Sequence, residues 1–399
     1  MSNAPPAHIR AAPTHPDPYP YYARLVAERP VSREGADGPW VVAGAEAVRS
    51  VLTNSDCLTR PVGRVVPDSM IGTPVGDIYG ALVRLNDGPM HCAIKPDITG
   101  TMDGLDLAAT AVAIRRQTDA LAALIKPEQD GASLTKFIYA LPAETISPLV
   151  GVPRDATANV ARWIGEYGAA SAAAATGVPA LTPEIAAAGQ TASRQLLDLF
   201  ASLAEQTKPA DATLLARMLI AAETTGRFSR EAAGINALGL LIQGFAATAA
   251  LTGNAILTLG RESDVRAAVM ADRKRVRDLV EEVSRCDPTA HSTPRFVARD
   301  GIVAGQPMRK DDFIIVVLAA ASRDPVLNPD PNRFDLNRKN RRYLGFGAGA
   351  HACAGPALAT LIAETAVNVV LDRGGLPERL TQAVTYLPSA HVRMPVFGA

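Results

Sequence analysis

The chain has 399 residues with 40 basic and 40 acidic side chains, so its formal net charge is zero. No global field favours nucleic acid or an anionic membrane surface. An apolar share of 48% with 20% charged residues belongs to a folded protein with a large core, and 5% aromatics make that core mainly aliphatic. The four cysteines, Cys57, Cys92, Cys286 and Cys353, show neither paired nor zinc-like spacing, the usage of a reducing compartment. No apolar run reaches the roughly 18 residues of a spanning helix. The N-terminus is proline-rich rather than signal-like, so a cytoplasmic protein without a membrane partner is expected.

Residues 1–20 carry Pro5, Pro6, Pro13, Pro16, Pro18 and Pro20, and should form an irregular, extended segment ahead of one domain over 21–399. A short helix over 21–29 stops at Pro30. Residues 31–43 read as a hairpin that turns at 35–39, with Trp40-Val41-Val42 as its second strand. A helix over 45–52 leads into 54–76, a stretch with few periodic signals, of the kind that forms lids and binding loops. Helices are expected over 106–126, 134–151 and 183–206, the last preceded by an alanine-rich stretch over 169–180. Ser229 is an N-cap for a segment without proline until Pro288 and apolar through most of 235–259. About thirty residues at 1.5 Å each span roughly 45 Å, enough to cross a whole domain. Farther on, Glu282 and Arg285 share one helical face, and short β-like runs fall at 302–304 and 313–318. No repeat and no interdomain linker stands out.

The stretch 343–364, YLGFGAGAHACAGPALATLIAE, carries the chemistry. Gly347, Gly349 and Gly355 can take positive φ and let a flat partner approach the backbone. Cys353 sits just before Pro356, which suits a first helical turn. Helix N-terminal amides favour a thiolate there, and a thiolate suits iron. The spacing Phe346-Gly347-x-Gly349-x-His351-x-Cys353-x-Gly355 resembles the haem-binding loop of the cytochrome P450 family. The resemblance implies a mainly α fold with a small β part, holding haem b between a long central helix and this loop. It makes Cys353 the iron ligand, which pushes electron density toward O–O cleavage. It also places Phe346 near the sulfur and His351 at a haem propionate.

Other stretches take on meaning from the same resemblance. The family opens one helix with His-x-x-x-Arg facing a propionate; here His91 and Lys95 stand in those places, with a point charge for the usual fork. Arg295 falls on the other propionate segment, and Glu282, Arg285 and Arg333 on a buried network behind the haem. The helices roofing the pocket fall at 169–206, with a mobile connection. A C-terminal hairpin over 384–396 sends its turn, Ser389 to His391, into the pocket. Arg338-Lys339-Asn340-Arg341-Arg342 borders the face where electron donors dock, a charge run that suits an acidic ferredoxin.

The central helix departs from the family pattern Ala-Gly-x-(Glu or Asp)-Thr-Thr. With Gly244 as the anchor, Gln243 takes the small-residue position, Ala246 replaces the acid, Ala247 replaces the first threonine and Thr248 keeps the second. An alanine pair neither donates nor accepts protons, so Thr248 and Gln243 become the catalytic candidates. Asn236, Gly244, Ala247, His291, Ser292, Thr293, Ser389 and His391 are the candidate pocket residues. The expected function is oxidation of a small organic molecule by dioxygen in specialised metabolism, with electrons from a separate ferredoxin and ferredoxin reductase. Two other readings stay open: oxidative coupling or peroxide use with protons supplied by the substrate, and a haem-binding sensor without turnover.

Overall fold

The apolar periodicities become helices, and the short β-branched runs between them become three small sheets. The computed structural model describes residues 4–64 and 66–398. The chain divides into two units, one of Met1–Gly63, Ala122–Ile138 and Ala247–Ala399, the other of Arg64–Leu121 and Tyr139–Ala246.

The first unit is built on a five-stranded sheet. Its strands are β1 (Val31–Arg33), β2 (Trp40–Val42), β3 (Cys57–Leu58) and β4 (Thr293–Val297), then β7 (Phe313–Val316) after a small hairpin of β5 (Gly301–Val303) and β6 (Gln306–Met308). The order is β1-β2-β7-β4-β3, with β2 and β7 parallel and the other pairs antiparallel. Both faces are covered, which is why 313–318 is almost continuously apolar. Val42, Ile314 and Val316 pack with the helix Ala45–Thr53 on one face. Val41, Ile315 and Val317 pack with Tyr22 and Leu25 of the helix Tyr19–Glu28 on the other. A C-terminal hairpin pairs β8 (Val384–Tyr386) with β9 (Pro395–Phe397), as the sequence suggested.

Within 1–20, the described residues 4–20 are more ordered than their prolines suggested. Ile9–Thr14 forms a 3-10 turn with Ile9 and Ala12 buried. The Arg393 guanidinium holds this segment by donating to the carbonyls of Pro13, His15 and Pro16. Order here comes from a distant cation rather than from local propensity.

The second unit packs the helix Thr157–Thr176 along Pro183–Gln206. Gly189 permits the close approach, since a Cβ there would lie 2.2 Å from the Ala170 side chain. The alanine-rich stretch is therefore largely helical, and the connection shrinks to 177–182. It opens at Gly177 with φ +72° and closes at the Thr182 cap, whose Oγ1 accepts from the Ile185 amide at 3.3 Å.

The long helix runs over Arg230–Arg261, 32 residues, and Ser229 caps it by accepting from the Ala232 amide at 3.1 Å. Contrary to the sequence expectation, it is long and apolar enough to cross a membrane. Buried Thr248, Thr252 and Asn254 interrupt its apolar run, and 56% of its most apolar window is buried inside the protein, as for a core helix. Its last turn meets 377–381 at Gly260, where an added Cβ would lie 2.0 Å from the Thr381 Oγ1 and 2.9 Å from the Pro377 carbonyl. Gly260→Ala should cost about 1–3 kcal/mol by overpacking. Urea denaturation checks this as a lower midpoint at unchanged slope.

Candidate functional site

The cysteine loop is a tight backbone construction. The Gly347 amide donates to the Leu344 carbonyl and the Cys353 amide to the Phe346 carbonyl, both at 2.8 Å. Gly347 and Gly349 sit at φ +73° and +67°, where only glycine is unstrained. At Gly349 a Cβ would stand 2.7 Å from the Leu52 carbonyl, so the loop's seat on Ala45–Thr53 also excludes a side chain. Phe346 meets Tyr343 edge-on at 5.8 Å, and His351 closes a short 3-10 turn, Gly349–His351. Cys353 is exposed, its sulfur accepts from the Gly355 amide at 3.3 Å, and the helix Pro356–Asp372 starts directly after Gly355.

The other cysteines differ. Cys57 and Cys286 are buried, and burial pushes each thiol up to about 11. Cys92 is exposed but lies inside the helix Gly88–Asp103. An accessible sulfur with an amide donor, a following helix N-terminus and a glycine backbone that admits a flat neighbour fits the thiolate side of a haem iron.

Behind the loop, the helix Val276–Cys286 carries Glu282 and Arg285, both 0% exposed and joined at 2.7 Å. The predicted third member is corrected: the Arg333 side chain is exposed, and only its carbonyl takes part, accepting from Arg285 at 2.9 Å. Its place is filled by Arg338 and Arg341, whose Nε atoms lie 3.2 and 3.3 Å from the Glu282 carboxylate. They stand in the basic run read as a docking face, and at 11% and 12% side-chain exposure they are turned inward. Lys339 and Arg342 remain exposed.

Among the polar pocket candidates, several are engaged by protein. His291 is 0% exposed, with Nδ1 2.9 Å from the Tyr22 hydroxyl and Nε2 3.6 Å from Asp287. Tyr22 occupies one ring nitrogen, the other faces Asp287 beyond hydrogen-bond distance, and the ring belongs to the core. Thr293 Oγ1 accepts from Arg295 at 3.2 Å, and Arg295 also donates to the Pro294 carbonyl at 2.7 Å. Ser389 Oγ accepts from the amides of His391 and Val392 at 3.3 and 3.0 Å, a turn-building role. Ser292 and His391 meet at 2.8 Å between Oγ and Nδ1, so the C-terminal turn does reach the segment before β4.

Burial disfavours the charge of Asp287, but Arg393 at 3.1 Å and the His291 contact hold its carboxyl well below the usual range. Burial takes His291 down to about 4, opposed by Asp287 and helped by Arg393; burial and Arg10 take His391 to about 4 as well.

On the central helix, Asn236 clamps backbone, accepting from the Val83 amide at 2.8 Å and donating to the Ala81 and Ala232 carbonyls. Both of its N–H donors are spent, which corrects its reading as a substrate contact. Gln243 folds back to donate to the Gly239 carbonyl at 2.8 Å. Gly244 packs on Ile146, whose Cδ1 would lie 2.6 Å from an added Cβ. Ala247 is exposed, while Thr248 is 1% exposed. Sequence reasoning missed Thr289, whose hydroxyl donates to the Ala247 carbonyl at 3.2 Å. In the second unit, His91 is buried and Lys95 half-buried, one turn apart on Gly88–Asp103.

The family profile described as Cytochrome P450 matches residues 190–373. Cytochrome P450 monooxygenase PikC of Streptomyces venezuelae is 30% identical over 373 residues, covering 90% of this chain and 84% of that one. 6-Deoxyerythronolide B hydroxylase of Saccharopolyspora erythraea is 27% identical over 374 residues, covering 90% and 89%. Among solved structures, CalO2 superposes with a TM-score of 0.81 at 26% identity over 96% and 94% of the two chains. Epothilone B-bound P450epoK superposes with a TM-score of 0.83 at 21% identity over 96% and 97%. The chain belongs to the cytochrome P450 family. It is a haem b oxidoreductase of the monooxygenase type, with a cysteine thiolate on its iron, and it acts on a small molecule with dioxygen.

Two outcomes follow from the buried groups. Glu282→Ala leaves three guanidinium groups without their shared carboxylate and should cost about 3–5 kcal/mol, read as loss of soluble, haem-loaded protein. His291 and His391 are neutral when folded but titrate near 6.5 when unfolded, so their contribution is complete above that pH and lost as pH falls toward 4. Thermal midpoints should drop between pH 6.5 and 4, and His391→Gln should flatten that slope.

Proposed function

We propose that this protein is a cytoplasmic P450 monooxygenase of specialised metabolism whose iron is held by Cys353. It would oxidise a small organic molecule with electrons from a separate ferredoxin and ferredoxin reductase. The observation that carries the ligand assignment is the exposed Cys353 sulfur, held in a glycine loop under the Gly355 amide at the start of a helix. Four cysteines, none in a disulfide, suit a reducing compartment. The hydroxylase named for 6-deoxyerythronolide B supports a natural-product substrate.

When bound, the haem supplies the dioxygen and one-electron chemistry of the family. The protein's own part is to hold and orient. The Gly355 amide donates to the sulfur at the start of a helix, the setting that would hold an iron-bound thiolate. Gly347 and Gly349 leave room for a flat face. His351, Arg295, His91 and Lys95 are the proposed partners of the haem carboxylates. Exposed Arg333, Lys339 and Arg342 are the cations left to meet an acidic electron donor.

A second reading, oxidative coupling or peroxide use with substrate-supplied protons, is favoured by the distal helix. Ala246 and Ala247 carry no proton donor, Gln243 is bonded to Gly239, and Thr248 is buried.

The reduced, CO-treated protein should show the red-shifted band of a thiolate haem, lost in Cys353→Ser and kept in Cys92→Ser; retention in Cys353→Ser refutes the assignment. Compounds that shift the Soret band from low to high spin then identify the substrate. Turnover that requires ferredoxin, reductase and NAD(P)H supports the monooxygenase reading. Efficient turnover with peroxide alone supports the second, and binding without turnover under either condition a sensor.

A further inference from the structure

Reducing dioxygen to water while one oxygen enters a substrate consumes protons, so some polar group must manage them. The central helix has little to offer at 243–248. Ala246 and Ala247 lack polar side-chain atoms, one Gln243 N–H is spent on the Gly239 carbonyl, and Thr248 is 1% exposed. The hydroxyl at this point arrives from another element. Thr289 lies three residues beyond the helix Val276–Cys286, is partly exposed, and its Oγ1 donates to the Ala247 carbonyl at 3.2 Å. A hydroxyl that donates to a carbonyl keeps its lone pairs for accepting.

The placement is fixed from several sides. Pro288 restricts the backbone before Thr289. The Arg393 amide donates to the Thr289 carbonyl at 2.9 Å, and Ala290 bridges to Val392. Arg393 is ion-paired to Asp287 at 3.1 Å, and Asn254, two turns beyond Ala247, donates to the Asp287 carbonyl at 3.0 Å. The segment that carries Thr289 is thus tied to the same helix its hydroxyl meets.

We propose that Thr289 supplies, from outside the helix, the alcohol that Ala247 lacks. Its hydroxyl is a positioning group that holds a proton-carrying water against the central helix at Ala247. The inference rests on the reading in which Cys353 binds the iron and 243–248 faces the distal side.

The test uses full-length, haem-loaded wild type, Thr289→Val, Thr289→Ser and the double variant Ala247→Thr/Thr289→Val. The reduced-CO band is recorded first. The low-spin to high-spin ratio of the resting ferric protein, by optical and electron paramagnetic resonance spectra, is the readout independent of turnover. Hydrogen peroxide released per NADPH, with a surrogate ferredoxin and reductase, is the second. Thr289→Val should lower the low-spin ratio and raise peroxide release by about fivefold, the weight of one hydrogen bond, with Thr289→Ser within about twofold of wild type. Restoring an alcohol on the helix with Ala247→Thr should recover both. A Thr289→Val protein that keeps the thiolate CO band and matches wild type in both readouts overturns the Thr289 assignment and leaves the Cys353 reading standing. Equal impairment in Thr289→Ser also overturns it, since the hydroxyl would then not be the relevant group. A wild type without the thiolate band overturns both.

Discussion

A carboxylate with no solvent exposure is tenable only among fixed cations, and Glu282 sets that condition for the first unit. Its answer is three guanidinium groups. Arg285 comes from the same helix, while Arg338 and Arg341 reach back from the irregular chain that precedes the cysteine loop. Arg285 also donates to the carbonyls of Pro331 and Arg333, and the Asp335 amide donates to Glu282. A stretch without regular structure is thereby fixed onto a helix. The loop inherits this: Asn328 holds the Arg342 carbonyl, and Ser322 Oγ accepts from the Leu344 amide. The position of Cys353 depends on a charge balance several residues away from it.

The same helix leads straight to the opposite kind of problem. Past Cys286 come Asp287, which pairs with Arg393, and Thr289, which meets the central helix at Ala247. Arg393 in turn pins the N-terminal carbonyls and pairs the C-terminal turn with Thr289. The Glu282–Arg285 pair and the hydroxyl beside the central helix are therefore parts of one continuous segment. Where the helix carries alanines at 246 and 247, that segment sets a hydroxyl against its backbone.

Much of this was legible in the chain. The glycine turn of the cysteine loop and the Ser229 cap follow from local rules, the helix over 183–206 is read directly, and the C-terminal hairpin comes from the family resemblance. What failed was side-chain direction in irregular chain, where no period exists to say which arginine points inward. Arg333 and Arg338 look alike in sequence, and only the path of the segment sends one outward and the other to Glu282. Asn236 and His291 looked like ligand contacts because buried polar residues and pocket residues are the same types. Both turned out to satisfy neighbouring protein groups. Thr289 was invisible for a related reason: its partner is a backbone carbonyl, which no side-chain motif records.

The central claim is that the Cys353 sulfur is bonded to the haem iron. Iron X-ray absorption of the purified protein reports the atoms in the metal's first shell directly. The account predicts one sulfur neighbour in the wild type and its absence from Cys353→Ala. A first shell of nitrogen and oxygen alone in the wild type, or a sulfur that persists in Cys353→Ala, would contradict it.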